Sequence, residues 1–448
     1  MAGEATWNSS EIFITEKDCI QFFHASKKAR EQRLIGLEYE LILVDRMTLL
    51  SVPFFGLRSL SRILLTLLPL GYVPIYDAGM LVGLKRSGTM VTLEPGGQIE
   101  FSSSPRRLIA DVLLELHTFL KELLDVCDSL ALTILPIGYR PYGTVSSVQT
   151  VPRTRYLEMM PLLERSSQSS AGQKMTASMQ VSLDFVSERH AGQMLQLGLK
   201  CQPYIVALFA NSPFFESGVT PFKSYRMHVW SMFDQARSGI PEFILDPTFA
   251  DRAFECYTQW ALHKPVLFIS RNDTLIHLNG LTFHDFLTHG FQSYRAVPQD
   301  WVMHLGTLYP EARMKNVVEL RSADTCSPPF VAALSAFWKG LAYDDEALES
   351  ALDLLHVKDA NVLKFLYLEA SKCGLSGRSP GLGTFKEATR HLVRLAAEGL
   401  SRQLAPSAEV AHLDILIDMV ERGLSPSDIT LKSGLANSRI SSDSYIDA

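Results

Sequence analysis

The 448-residue chain carries 42 Lys and Arg against 48 Asp and Glu, a formal net charge of −6. That mild acidic balance argues against a dedicated nucleic-acid binder, which presents a basic face. Hydrophobic residues at 47% and charged residues at 20% give enough apolar material for a sizeable core and exclude a disordered chain.

The length suits one large or two interlocked domains. The six cysteines (Cys19, Cys127, Cys201, Cys256, Cys326, Cys373) lie far apart with no C-x-x-C pair, which weighs against a structural zinc site and reads as reduced thiols. Residues 1–10 lack a basic region followed by an apolar one, so no secretory signal is visible. The apolar run 63–70 is too short to span a bilayer. The expectation is a soluble, cytoplasmic protein with no membrane partner.

In chain order, residues 18–30 read as an amphipathic helix, and 34–44 as a strand dense in β-formers. Its acids Glu38 and Glu40 are two apart and share a face, either turned to solvent or met by positive charge. A helix over 57–68, stopped by Pro69, leads to strands near 73–76 and 80–85. The stretch 91–101 then reads as a hairpin: two apolar-rich arms flank Pro95-Gly96-Gly97, with Glu94 and Glu100 close to the turn. Carboxylates are disfavoured in β-rich arms, so this is a solvated tip or the wall of a site.

Pro105 marks the first turn of a long helix to residue 130, whose apolar three-to-four spacing is core packing. A strand over 131–138 precedes a Ser-, Thr-, Arg- and Gly-rich region, 142–173, read as loops. Residues 175–185 alternate, with Ser178, Gln180, Ser182 and Asp184 on one face and Met179, Val181 and Leu183 on the other. Such a face suits a site floor or a solvated sheet. Helices follow over 188–207 and 249–263, and strands over 301–309 and 316–321. In the last strand Glu319 and Arg321 share a face, as a structural ion pair or as site residues. From 329 onward the chain reads as helical, with a Gly- and Ser-rich linker over 374–383. The expected division is a catalytic sheet domain over 1–345 and a helical region over 346–448, its tail polar from about 425.

Two like charges about 4 Å apart repel by roughly 4 kcal/mol at an effective dielectric of 20. Five clustered acids therefore call for counter-charge, and oxygen-rich ligand sets suit Mg²⁺ or Mn²⁺ bridging to substrate phosphates. Scarce histidines near these motifs argue against zinc. Glycoside hydrolysis needs two carboxylates rather than five. There is no P-loop and no dinucleotide-binding glycine fingerprint.

The ordered blocks Gly36-Leu37-Glu38-Tyr39-Glu40, Leu93-Glu94-Pro95-Gly96-Gly97-Gln98-Ile99-Glu100, Met179-Gln180-Val181-Ser182-Leu183-Asp184 and Tyr225-Arg226-Met227-His228-Val229-Trp230 resemble the plant and proteobacterial class of glutamate–cysteine ligases. Asp234, Arg237 and Gly239 continue the pattern. So do Tyr309-Pro310-Glu311-Ala312-Arg313-Met314-Lys315, Val318-Glu319-Leu320-Arg321 and Phe337-Trp338-Lys339-Gly340. The resemblance implies an α+β fold, a curved and mainly antiparallel sheet funnel covered by helices, similar to glutamine synthetase. It implies ATP and Mg²⁺ (or Mn²⁺) at the funnel floor and γ-glutamylcysteine as product. It matches Glu38, Glu40, Glu94, Glu100 and Glu319 to metal-binding acids, with Gln180 at a further metal or phosphate position. Arg321 falls at the arginine that stabilises the transferring phosphoryl group, and Arg226 and Trp230 fall in the block that holds glutamate. Lys85 and Lys315 are phosphate candidates. The sequence departs from the family pattern at Ser182, at Phe233 and over 322–328, positions that bear on the amino-acid pockets. The alternatives are a relative joining glutamate or a similar acid to a different amine, and an inactive homologue that binds nucleotide or amino acid. A homodimer is compatible with the sequence.

Overall fold

The computed structural model describes residues 13–163, 167–403 and 408–434. At its centre is a nine-stranded antiparallel sheet. Numbered in chain order, its strands are β1 (Ile35–Asp45), β2 (Val73–Asp77), β3 (Met80–Arg86), β4 (Thr89–Leu93), β5 (Ile99–Ser102), β6 (Leu132–Leu135), β7 (Ser178–Leu183), β8 (Ala312–Met314) and β9 (Val318–Asp324). The spatial order is β8-β9-β7-β1-β5-β4-β3-β2, and β6 pairs with the distal end of β1.

Period-two alternation gives this sheet two unlike faces. Leu37, Tyr39 and Leu41 of β1, Met179, Val181 and Leu183 of β7, and Phe101 of β5 are all buried. Against them pack the helices Ile109–Ser129, Glu188–Leu208 and Pro328–Ala342, themselves dominated by buried apolar residues. Each fully buried Leu or Phe contributes about 1.5–3 kcal/mol relative to exposure. A one-residue slip would drive the acids of β1 into that core, so the register is strongly specified.

Several elements differ from the sequence expectation. The first helix is Glu16–Ala25, opened by Thr15, whose N–H donates to Asp18 (2.8 Å). Pro105 lies outside the long helix, which starts at Ile109 after the extended Leu108. The region read as loops contains helices Thr154–Leu163 and Ser167–Lys174, with 164–166 outside the described residues. The expected strand over 301–309 is the helix Pro298–Leu305, leaving only Tyr309–Pro310 extended. Pro298 occupies its first turn, Asp300 accepts the Val297 N–H (2.9 Å), and Trp301, His304 and Leu305 form one buried face at helical spacing. The linker over 374–383 holds a 3₁₀ turn, Gly374–Ser376, and one arm of a two-residue hairpin, Arg378–Ser379 against Gly383–Thr384. The tail begins as a helix, Pro426–Ser433, while residues 1–12 and 435–448 lie outside the described residues. Among the described residues no helix is long and apolar enough to cross a membrane. The six cysteines are free thiols.

Candidate active site

The polar face of the sheet assembles most of the residues singled out by sequence. Glu40 stands directly opposite Glu100, and Glu38 lies between Ser102 on β5 and Gln180 on β7. Glu319 faces Ser182 on one side and Arg313 on the other. Directly paired antiparallel residues hold their Cβ atoms about 4.5–5.5 Å apart, so like charges there are destabilising.

Glu94 joins this group from the hairpin turn. The Gly97 N–H donates to the Glu94 carbonyl (2.8 Å) and the Glu94 N–H to the Gln98 carbonyl (2.9 Å), closing the turn. Both glycines are required. Gly97 has φ +80°, a left-handed conformation, and a Cβ on Gly96 would overlap the Lys174 carbonyl. The Tyr156 hydroxyl lies 3.1 Å from both Glu94 Oε1 and the Leu93 carbonyl oxygen, the two acceptors open to its one proton.

Glu38, Glu40, Glu94 and Glu100 form no ion pair among the described residues. Burial first, then Glu94, pushes the Glu40 carboxyl up to about 7, with Arg226, Arg321 and the Ser178 N–H acting against the rise. Burial also raises Glu100 well above the usual carboxylate range, reinforced by Glu94, Glu38 and Glu40. Polar contacts are modest: Ser178 N–H to Glu40 (2.7 Å), Gln180 Nε2 to Glu40 (3.1 Å), and the Ser102 and Thr92 hydroxyls to Glu100 (3.2 and 3.3 Å).

The β8–β9 end is the reverse. Glu319 is buried, yet Arg313 Nε and Lys315 Nζ each lie 2.5 Å from its oxygens and Arg321 Nη1 lies 3.8 Å away. Burial alone would raise its proton affinity, but these three cations outweigh it and hold the carboxyl far below the ordinary range. Arg321 Nη1 donates to Gln180 Oε1 (2.5 Å), so Gln180 links the cationic end to Glu40.

Arg226, on the helix Tyr225–Ser231, is buried and donates to the backbone carbonyls of Arg321 (3.1 Å) and Ser322 (3.3 Å). Its Nη1 lies 3.7 Å from Asp324, and its Nε has no partner among the described residues. Trp230 donates to Thr176 (3.3 Å) and stacks on Phe233 at 4.4 Å. Lys85 is exposed on the same sheet face, across β4 and β5 from Glu38.

Sequence reasoning did not single out Arg313, Tyr156 or Arg140. Arg313 alternates with the candidate Lys315 as Glu319 does with Arg321, and a same-face reading of that strand would have found it. Tyr156 lay in the region read as loops. Arg140 is almost fully buried and donates to the carbonyls of Leu43 (3.0 Å) and Gly96 (3.3 Å), tying the hairpin turn to β1. Burial lowers its pKa to about 10.

A cavity of ≈ 220 Å³ opens beside this face, lined by Gly36, Glu38, Ser102, Ser182, Asp184 and Asn316 among others. Among the described residues no three Asp, Glu, His or Cys side chains already stand in a metal-ligating group. Even so, the chemistry fits a hard divalent cation. Glu38, Glu40, Glu94 and Glu100 offer only oxygen donors, and burial followed by the neighbouring acids raises the proton affinity of Glu40 and Glu100.

A large antiparallel sheet with helices on one face and an acid-and-arginine floor on the other is the architecture of the carboxylate–amine ligases. A family model, glutamate-cysteine ligase family 2, matches residues 34–443, and the chain belongs to that family. The chain is 30% identical over 426 residues to a chloroplastic glutamate–cysteine ligase of Brassica juncea, covering 94% of this chain and 81% of that one. It is 30% identical over 424 residues to the chloroplastic enzyme of Arabidopsis thaliana, covering 94% and 80%. A crystal structure of glutamate–cysteine ligase from Francisella tularensis in complex with AMP shares the fold, with a TM-score of 0.56 at 14% identity, covering 91% of this chain and 85% of that one. The expectation of a cytoplasmic protein is corrected here. These plant relatives are chloroplastic, and lack of a secretory pattern carries no information about a plastid.

Proposed function

We infer that this protein is an ATP-dependent ligase that joins the γ-carboxylate of glutamate to the amine of cysteine, giving γ-glutamylcysteine, ADP and phosphate. The observation that carries this reading is a cluster of four carboxylates without an ion pair among the described residues, beside Arg313, Lys315 and Arg321, in a chain of the glutamate–cysteine ligase family.

The γ-carboxylate oxygen attacks the terminal phosphorus of ATP, and ADP leaves. The amine nitrogen then attacks the acyl carbon, phosphate departs with the bonding pair, and the nitrogen gives up a proton. Such chemistry rests on positioning and charge neutralisation and needs no protein nucleophile. Arg321 faces the charge that grows on the transferring phosphoryl group, with Gln180 fixing one of its nitrogens. Lys315 and Lys85 are the further phosphate-facing cations, and Arg226, with Trp230 beside it, takes a carboxylate of glutamate. The cavity next to Glu38 is the entry for the nucleotide.

Glu38, Glu40, Glu94 and Glu100, with the amide of Gln180, would hold Mg²⁺ or Mn²⁺. Bound there, the ion supplies positive charge against the phosphates of ATP. Glu319 joins that ligand set only by exchanging one of its ion pairs for the metal.

The experiment is ADP release with glutamate and a panel of amines that includes cysteine. Turnover with another amine and none with cysteine would replace the acceptor, an outcome to which the stack of Phe233 on Trp230 in the altered block is relevant. ATP binding without turnover on any amine would make the chain a binding protein.

A further inference from the structure

The ladder between β9 and β7 slips at Arg321. Leu320 pairs with Val181, but Ala323 pairs with Met179, so Arg321 and Ser322 together stand opposite Gln180. One extra residue leaves part of a strand out of the ladder and re-aims its side chains. It also changes the face that the rest of the strand presents, because the side-chain period is two. Without this bulge Asp324 would turn with Leu320 into the core. With it, Asp324 pairs with Ser178 and lies on the polar face with Glu319 and Arg321.

The bulge is clamped by Arg226, whose Nη2 and Nη1 donate to the carbonyls of its two residues, Arg321 and Ser322 (3.1 and 3.3 Å). Asp324, only 1% exposed, holds that clamp. Its Oδ1 lies 3.7 Å from Arg226 Nη1 and accepts from the Ser224 hydroxyl (2.9 Å). Ser224 in turn caps the helix that carries Arg226, accepting the Met227 N–H (3.3 Å). Asp324 Oδ2 accepts from the Asn211 N–H (2.8 Å) and the Ser212 hydroxyl (2.6 Å), and the Ser212 oxygen accepts the Arg226 N–H (3.0 Å). One carboxylate therefore reaches Arg226 at its guanidinium, at its backbone amide and at the start of its helix. The acid fits closely, since a Cβ on Gly138 would overlap its carboxyl group. Burial raises the proton affinity of Asp324, and Arg226 is first among the groups that act against the rise.

We propose that Asp324 is a positioning residue for phosphoryl transfer: through Arg226 it fixes the bulge that aims the Arg321 side chain. The proposal rests on the ligase reading above, in which Arg321 faces the transferring group. Arg226 carries this duty in addition to its contact with glutamate. The acid itself touches no substrate and acts only through the two arginines.

The test is Asp324→Asn, a change of nearly equal size that keeps an acceptor toward Asn211 and Ser212 and puts a donor where the acid faced Arg226. The kcat should fall about 10–100-fold, the scale for a small misplacement of a positioned group. The Mg²⁺ concentration at half-maximal rate should stay within about twofold, because the acids of β1 and the hairpin are untouched. In an Arg321→Lys background the same substitution should cost less than about threefold, since residues that act as a unit are not additive. A full further loss there, or a wild-type kcat for Asp324→Asn alone, would overturn the proposal. Ser212→Ala removes one hydrogen bond to the acid and one from the Arg226 amide, and should lower kcat by a smaller factor, about 2–5-fold. Hydrogen–deuterium exchange over residues 318–324 reads the clamp without turnover, and Asp324→Asn should speed it about tenfold. Unchanged exchange would sink the positioning role. Faster exchange in the variant, with no turnover by the wild type on any amine, would sink the ligase reading alone.

Discussion

The two ends of the polar sheet face solve opposite electrostatic problems. Around β1, β5 and the hairpin turn, Glu38, Glu40, Glu94 and Glu100 face one another and form no ion pair among the described residues. At β8 and β9, the single acid Glu319 meets Arg313, Lys315 and Arg321. Under the proposed function the first end takes its positive charge from a bound metal ion. The second holds more than it needs for itself, so its surplus is free to meet an incoming anion. Gln180 sits between them as a neutral amide, accepting from Arg321 and donating to Glu40. An acid there would add to the repulsion on β1, and a cation would compete with the metal ion proposed for the acids.

The comparison breaks first at the acid end. Glu94→Gln should remove turnover at ordinary Mg²⁺, a loss of about 1000-fold or more if several kcal/mol of charge stabilisation depend on that ligand, while circular dichroism remains native. Near-normal activity would mean that the acids are not a cation site. The cationic end answers to Arg321→Lys, which keeps the charge but loses the planar fork. The expected result is a fall in kcat of at least about 100-fold, the scale of one transition-state donor. A change confined to KM would place Arg321 in ground-state binding instead.

A smaller change sharpens the picture. Tyr156→Phe deletes the hydroxyl within hydrogen-bond reach of Glu94 and the Leu93 carbonyl and leaves the ring in place. Charge-assisted hydrogen bonds are worth about 1.5–3 kcal/mol, so the Mg²⁺ concentration at half-maximal rate should rise about tenfold, with kcat at saturating Mg²⁺ little altered. An unchanged Mg²⁺ requirement would show that the hydroxyl does not position Glu94.

What could be read from sequence follows from how local the signals are. Pairs of charged residues two apart on apolar strands fix which side chains share a face, and β1 and β9 were legible on that ground, the hairpin on its Pro95-Gly96-Gly97 turn. Whether Glu319 would meet cations or a metal depended on Arg313, which reaches it from the neighbouring strand, and spacing within one strand cannot report a cross-strand partner. Tyr156 and Arg140 act from elements whose sequence looks like polar connection, and their acceptors are far away in the chain. Trp301 and Leu305 carried β-type residues at helical spacing, and Pro298 with Asp300 decided for the helix. The resemblance to a ligase family settled the chemistry where these local signals stopped.

The smallest effect is on stability. The Glu40 carboxyl has a folded pKa of about 7 against an ordinary 4.5, raised first by burial and then by Glu94. The folded chain therefore holds this proton more tightly than the unfolded one. The resulting stabilisation is complete below about pH 4.5 and is lost as pH rises through about 7. Glu100 shifts in the same direction. In EDTA, the melting temperature should thus fall between pH 5 and 7.5 by at least about 2 °C, and Glu40→Gln should flatten that slope. Added Mg²⁺ should flatten it too, because a cation bound only to the folded state stabilises it as RT ln(1 + [L]/Kd). Equal slopes for the wild type and Glu40→Gln, or no response to Mg²⁺, would mean that the acid end is already balanced and that the contrast with β8 and β9 does not hold.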